Sequence, residues 1–172
     1  TLVRQGAGRL LRDIRDRDAQ VLAVAEIVLR VRPDVLLLNE IDADPEGRAL
    51  AAFRDLLAGG VAGLPGLDYP HTHQGPQNVG VPSGLDLDGD GRTAGPGDAW
   101  GYGRFPGQYA MAVLSRLAFA GEVRSWARFP WSAVPGARRP ARPDGTPFHP
   151  DAVWQALRLS SKAHWAVPLA LP

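Results

Sequence analysis

From Asp18 to Arg32 the apolar residues Val21, Val24, Ala25 and Val28 follow the three-and-four spacing of a helix, and Leu22 and Leu29 broaden the stripe. Arg30, Arg32 and Pro33 form its stop, because basic charge suits the carbonyl end of a helix and proline cannot continue it. The period then changes. Val35, Leu36, Leu37 and Leu38 are an unbroken apolar run entering Asn39-Glu40-Ile41-Asp42, the pattern of a strand buried on both faces in a parallel or mixed sheet. So short a turn packs helix and strand antiparallel, as in an α/β unit. Pro45 suits a first helical turn, and Ala51, Phe53 and Leu57 carry a second helix to Gly59.

Ala110 to Ser115 reads as another buried strand, and Gly121 to Phe129 as a partly exposed one with Val123 and Trp126 packing inward. Asp151 to Arg158 is a short helix or turn with Val153, Trp154 and Leu157 on one side. Between Leu159 and Leu171 the residues Trp165, Val167, Leu169 and Leu171 alternate with more polar or smaller ones, which is a strand period. Pro168 lacks a ladder donor and places that strand at an edge or a bulge. No internal repeat is visible. Thr1 to Gly8 offers no strand to flank Val35 to Leu38, and Pro172 ends the chain on an apolar strand. Residues 1–172 are therefore expected to be a single domain and an incomplete one, with sheet partners beyond both ends.

Composition narrows the function classes. The 20 glycines and 16 prolines fall mostly between Gly59 and Pro150 and make that half loop-rich. Trp100, Tyr102, Phe105, Tyr109, Trp126, Phe129 and Trp131 give those loops apolar surface to bury, so they read as ordered rather than as linker. With 19 basic against 18 acidic residues, no field of one sign exists for non-specific binding of nucleic acid or membrane. The absence of cysteine excludes disulfides and thiolate metal sites and leaves the compartment open. No apolar run reaches the roughly 20 residues of a membrane span, and no segment has the charged start and apolar centre of a signal sequence.

Three places carry candidate chemistry. Glu40 leaves the carboxyl end of a strand, where open α/β sheets bind ligands. Magnesium is held by one or two carboxylates plus water and phosphate, so a single such glutamate suffices as one ligand; the plainer reading is an Asn-Glu loop. Asp42 and Asp44 beyond it are acids behind the site or caps of the next helix. In Asp86-Leu87-Asp88-Gly89-Asp90-Gly91, acids stand at the first, third and fifth positions and glycine at the sixth, as in calcium loops. Asp86, Asp88, Asp90, the carbonyl of Arg92 and Asp98 form the expected structural Ca2+ set, although Gly97 stands where a closing glutamate belongs. A solvated Asp-Gly turn is the alternative. His71 and His73 lie two apart but fall short of the three or four ligands of zinc. Lys162 is the only lysine, and an isolated charge is ordinarily solvated surface.

The strand ending in Asn39-Glu40, followed by Gly107-Gln108-Tyr109-Ala110-Met111-Ala112-Val113-Leu114-Ser115-Arg116, resembles the endonuclease/exonuclease/phosphatase superfamily of magnesium-dependent phosphoesterases. The stretches Arg32 to Glu40, Pro82 to Asp88, Gly95 to Gly101, Phe105 to Tyr109 and Leu159 to Trp165 are similar, in that order, to a bacterial and often secreted branch of it, so the resemblance spans nearly the whole chain. It implies a four-layered α/β sandwich: two mixed β-sheets face to face, helices outside and a metal site at one rim. It also implies a hydrolase of phosphodiesters or phosphomonoesters, secreted or periplasmic, acting through Mg2+-activated water with Glu40 as metal ligand; a monomer is expected. His164 is the further catalytic candidate, and Lys162, Gln108 and Tyr109 are the candidate substrate contacts; each has a structural role as its alternative. The superfamily's first-strand asparagine, its Asp-x-Asn pair and its late Asp-His pair have no counterpart in these residues, and Ala166 replaces an acid of the branch. The 172 residues alone are therefore expected to be inactive. The other class of function on the same fold is a non-catalytic, calcium-stabilised secreted binding domain.

Overall fold

The computed structural model describes residues 1–171. Its first helix, α1 (Arg9–Arg15), escaped the periodicity reading because two turns hold too few apolar positions to show a stripe; it buries Leu10 and Ile14. Helix α2 (Ala19–Val31) lies where the spacing predicts it. The side chain of Asp18 accepts the N–H groups of Gln20 and Val21 at its start, and Arg32, in the left-handed conformation, ends it before Pro33. Helix α3 (Arg48–Gly59) begins later than Pro45 suggests. Gly47 turns left-handed there, and the Asp44 carboxylate accepts the N–H groups of Arg48 and Ala49. Asp44 is thus a capping acid, held below its usual carboxylate range by those N–H groups against the opposing effect of burial.

Strand β3 (Ala110–Ser115) is central to an antiparallel sheet, between β1 (Val35–Ile41) and β2 (His71–His73). Leu38, Ile41, Ala112 and Leu114 join Val21, Ala25, Leu29, Phe53 and Leu57 in one core, so the three helices cover one face of the sheet. The expectation that β1 is buried on both faces is not met: Leu37 is 54% and Val35 39% exposed. Among the described residues no strand flanks the outer edge of β1, where Leu2 forms an isolated parallel bridge to Ile41.

The second half departs further from its pattern. The expected strands Gly121 to Phe129 and Leu159 to Leu171 shrink to β4 (Arg124–Ser125) and β5 (Trp165–Ala166), an antiparallel pair, with an isolated Phe119–Leu169 bridge beyond. Pro168 interrupts the ladder as its missing N–H requires, and Trp126 is 41% exposed rather than inward. Helix α4 (Asp151–Ala156) buries Val153 and Trp154, and the Trp154 ring meets that of Trp131 edge-on at 5.3 Å. The α/β class holds. Among the described residues, however, its sheets are one of three strands and one of two, both antiparallel, which is less than the two mixed sheets of the expected sandwich. No described helix is long and apolar enough to cross a membrane.

The two sheets are joined where His73 of β2 packs edge-on against Trp165 of β5, with ring centroids 4.6 Å apart. The buried Nε2 of His73 finds no hydrogen-bond partner among the described residues, and burial holds the imidazole below its ordinary value of 6.5. A histidine depressed in the folded state binds its proton in the unfolded chain first, so the native state loses stability as pH falls through 6.5 and is unaffected above it. Melting temperature is expected to fall between about pH 7.5 and about pH 5.5, and His73→Leu to flatten that fall. An equally steep fall in the variant would assign the effect to other groups, His149 among them.

Candidate active site

Glu40 sits on an irregularity of β1. Asn39 pairs with Met111 and Ile41 with Ala110, which leaves Glu40 as the extra residue of a bulge. Its φ of 62° is left-handed, a conformation that side chains other than glycine adopt at a cost of about 1 kcal/mol or more. Its carbonyl is fixed by the N–H of Leu2 at 3.0 Å. A bulge re-aims a side chain, and here it turns the carboxylate out of the ladder toward Lys162, whose Nζ lies 3.7 Å from Oε1. The Glu40 side chain is 48% exposed and that of Lys162 24%.

Lys162 is not the solvated surface charge that its isolation in the sequence suggests. Its ammonium donates to the carbonyl of Tyr109, which is also left-handed at φ 61°, and stands 5.9 Å from the centre of the Tyr109 ring. Burial pushes the ammonium below its ordinary value, and the Glu40 carboxylate opposes that shift. Two strained backbone positions thus meet at the chain's only lysine.

The segment carrying Lys162 is short of regular structure and is held from outside. Asn78, 1% exposed, donates its backbone N–H to the Lys162 carbonyl at 2.9 Å and its side-chain amide to the carbonyls of Ala127 at 2.6 Å and Ser160 at 2.7 Å. Its Oδ1 accepts from Arg158, whose guanidinium stacks 4.2 Å from the centre of Trp100. Gly101 presses on the same segment: a Cβ there would lie 1.8 Å from the Ser161 carbonyl oxygen. Sequence reasoning missed Asn78, because a buried amide in a loop has no period to betray it.

Asp42 is buried and serves as an anchor rather than a ligand. One oxygen accepts the N–H of Arg4 at 2.6 Å and the other the N–H of Tyr109 at 3.2 Å. Burial raises its pKa despite those bonds. Gln108 is corrected: it is wholly buried, its Oε1 accepts from Arg104 N and its Nε2 donates to the Arg4 carbonyl, so its amide is consumed inside and cannot reach a substrate. Lys162 and His164 both precede β5 and find different partners. His164 is exposed and its Nδ1 pairs with Ser160 Oγ, away from the Glu40–Lys162 pair. Glu40 is half exposed, and a cavity of about 550 Å³ lined by Asp44, Leu50, Arg54, Gln74 and Gln77 among others does not include it.

In the acidic loop, ligand atoms of Asp86, Asp88 and Asp98 lie within 4.8 Å of one another. Asp90 does not join them; its Oδ1 accepts the N–H of Arg92 at 2.8 Å, a tight local turn that diverts the carboxylate. Asp98 is 2% exposed and has no basic partner among the described residues, while its Oδ1 accepts the N–H of Leu87. Gly91 is left-handed at φ 85°, as a sharp turn at the sixth position requires. At Gly97 a Cβ would lie 2.0 Å from Asp88 Oδ2, so glycine at the twelfth position leaves room for the Asp88 carboxylate.

Comparison with curated proteins and with solved structures finds no match. A family profile, the Endonuclease/Exonuclease/phosphatase family, matches residues 5–170, a stretch that takes in Glu40, Tyr109, Lys162 and the acidic loop. By that match over almost its entire length, the chain belongs to the endonuclease/exonuclease/phosphatase family.

Proposed function

We propose that the domain hydrolyses a phosphodiester or phosphomonoester with a divalent cation, Mg2+ by family, held in part by Glu40. The observation that supports it is the bulge that lifts a charged, half-exposed carboxylate out of β1 and sets it 3.7 Å from a single held ammonium. The donor set fits such a cation. Glu40 has Lys162 as its one charged partner among the described residues, so its carboxylate keeps free lone pairs, and a hard cation completes its shell with water and substrate oxygens. When bound, the cation supplies charge to a phosphoryl oxygen and acidifies water. Lys162 meets a second phosphate oxygen as a point charge, its ammonium held by the Tyr109 carbonyl so that little freedom is lost on binding. Tyr109, anchored through its N–H by Asp42, keeps that carbonyl in place. Assayed at full natural length, the protein is expected to hydrolyse bis(4-nitrophenyl) phosphate in Mg2+ and to stop in excess EDTA. Turnover that ignores EDTA, or no turnover, counts against this reading.

The acidic loop favours a second proposal: a structural Ca2+ ion on Asp86, Asp88 and Asp98, independent of catalysis. Three carboxylates so close repel one another, and a cation between them removes the repulsion. Millimolar Ca2+ is expected to raise the melting temperature by several degrees, about 1–2 kcal/mol of linkage at ten- to thirtyfold saturation, and Asp88→Ala to abolish the rise. An unchanged melting curve would remove the ion. If Ca2+ stabilises while hydrolysis is absent, the non-catalytic binding domain becomes the better account.

A further inference from the structure

Resting on the hydrolase reading above, we infer that Tyr102 determines specificity by stacking a flat ring carried by the phosphate ester, namely the base of a nucleotide or of a single-stranded nucleic acid. Three aromatic side chains are strongly exposed among the described residues: Tyr102 at 58%, Phe148 at 50% and Trp126 at 41%. Phe148 packs with His149 and Arg142, and Trp126 with Arg124. Tyr102 is the one connected to Glu40 and Lys162, through the ring of Tyr109. Its ring centre is 6.2 Å from that of Tyr109, whose ring is 5.9 Å from the Lys162 ammonium, which is 3.7 Å from Glu40.

A lone exposed ring means little by itself. This one stands on a held backbone. Gly101 and Gly103 flank it, and a Cβ would lie 1.8 Å from the Ser161 carbonyl oxygen at the first and 2.8 Å from Gly80 N at the second. The Gly101 N–H donates to the Asn78 carbonyl at 3.1 Å, and the Gly101 carbonyl accepts from Gly80 N at 2.8 Å. Both neighbours of Tyr102 therefore press on backbone, one of them on the residue before Lys162, so the main chain that carries the ring is held in place. A ring presented on a fixed main chain loses little freedom when a ligand covers it.

The charge pattern selects the ligand. With a net charge of +1 the chain has no overall positive excess of the kind duplex binding leans on, whereas one ammonium and one aromatic face match one phosphate and one unstacked base. Arg104, exposed and two residues from Tyr102, offers a further positive group on the same loop.

The test is anisotropy of a short fluorescein-labelled single-stranded oligonucleotide with the full natural-length protein in EDTA, where it is not consumed. Tyr102→Ala is expected to weaken binding about 10-fold, within the range that one base–aromatic stack carries, while Tyr102→Phe stays near the parent. An abasic oligonucleotide of the same length should bind the unaltered protein as weakly as the base-bearing one binds Tyr102→Ala. Equal binding by Tyr102→Ala and parent, equal binding of abasic and base-bearing strands, or no binding by the parent would each overturn the role of Tyr102. Loss of Mg2+-dependent hydrolysis in Glu40→Gln separates the outcomes: if it persists when Tyr102 fails, only the stacking contact is wrong.

Discussion

Glu40→Gln is expected to lower Mg2+-dependent hydrolysis at least about 100-fold and to leave the melting temperature within a degree or two. The carboxamide keeps the shape of the side chain and loses the charge that a hard cation needs. Stability should hardly register the change. Glu40 is half exposed, its side chain packs in no core, and its partner Lys162 is partly solvated, so the pair contributes on the order of 0–1 kcal/mol. Activity and fold are thereby separable at this residue, as they are not at Asp42 or Gln108, whose side chains tie the main chain together. Affinity for Mg2+, measured directly by calorimetry, should fall with activity. Lys162→Met is the complement: it leaves the carboxylate and removes the proposed phosphate contact, so KM should rise while Mg2+ affinity holds or improves as a competing cation leaves. A Glu40→Gln variant that keeps activity within about twofold would take the metal away from β1 and with it the reading of the whole rim.

What could be read from the sequence followed where burial imposes a period. Helix α2 and strands β1 and β3 were legible because a stripe or an unbroken apolar run is the direct imprint of a packed face. The same signal misled at β1: an apolar run looks alike whether both faces are covered or Leu37 is left exposed. In the glycine- and proline-rich half, single hydrogen bonds and backbone contacts replace ladders, so the long strands expected there reduce to two-residue pairs. At the site, Glu40 was legible as an acid ending a strand, but its bulge was not, since no residue type marks a left-handed glutamate. Lys162 was visible only as a compositional oddity and through the family resemblance. The contacts of Glu40 and Tyr109 with it, like the absence of Asp90 from the group that Asp86, Asp88 and Asp98 form, depend on chain geometry that spacing does not encode.

Asn78→Ala is expected to cost about 3 kcal/mol of stability, measured by urea unfolding, and roughly 10 °C of melting temperature. The amide is 1% exposed and bridges three partners, the carbonyls of Ala127 and Ser160 and the guanidinium of Arg158. Alanine removes all three bonds, so two carbonyls and a partly buried cation lose a partner together; each buried group left unsatisfied costs about 1–3 kcal/mol. Arg158 is already held below its ordinary value by burial, which makes the loss of its acceptor more costly. The damage has a direction. Ala127 belongs to the turn after β4, and Ser160 and Arg158 to the chain leading to Lys162, so the amide fastens that chain to the loop that carries Gly80 and Gly101. The main-chain bond from Asn78 N to the Lys162 carbonyl survives the substitution, and global unfolding is therefore not the only consequence. Amide exchange in residues 158–164 should speed up in Asn78→Ala well below its melting temperature, and KM for a phosphate ester should rise before kcat falls, because a loosened Lys162 affects binding of the phosphate first. Asn78→Asp sharpens the test, since a carboxylate of the same shape keeps Arg158 but offers no donor to the two carbonyls. If it matches the parent in stability, the amide's two donated bonds contribute nothing and Arg158 alone accounts for the anchor.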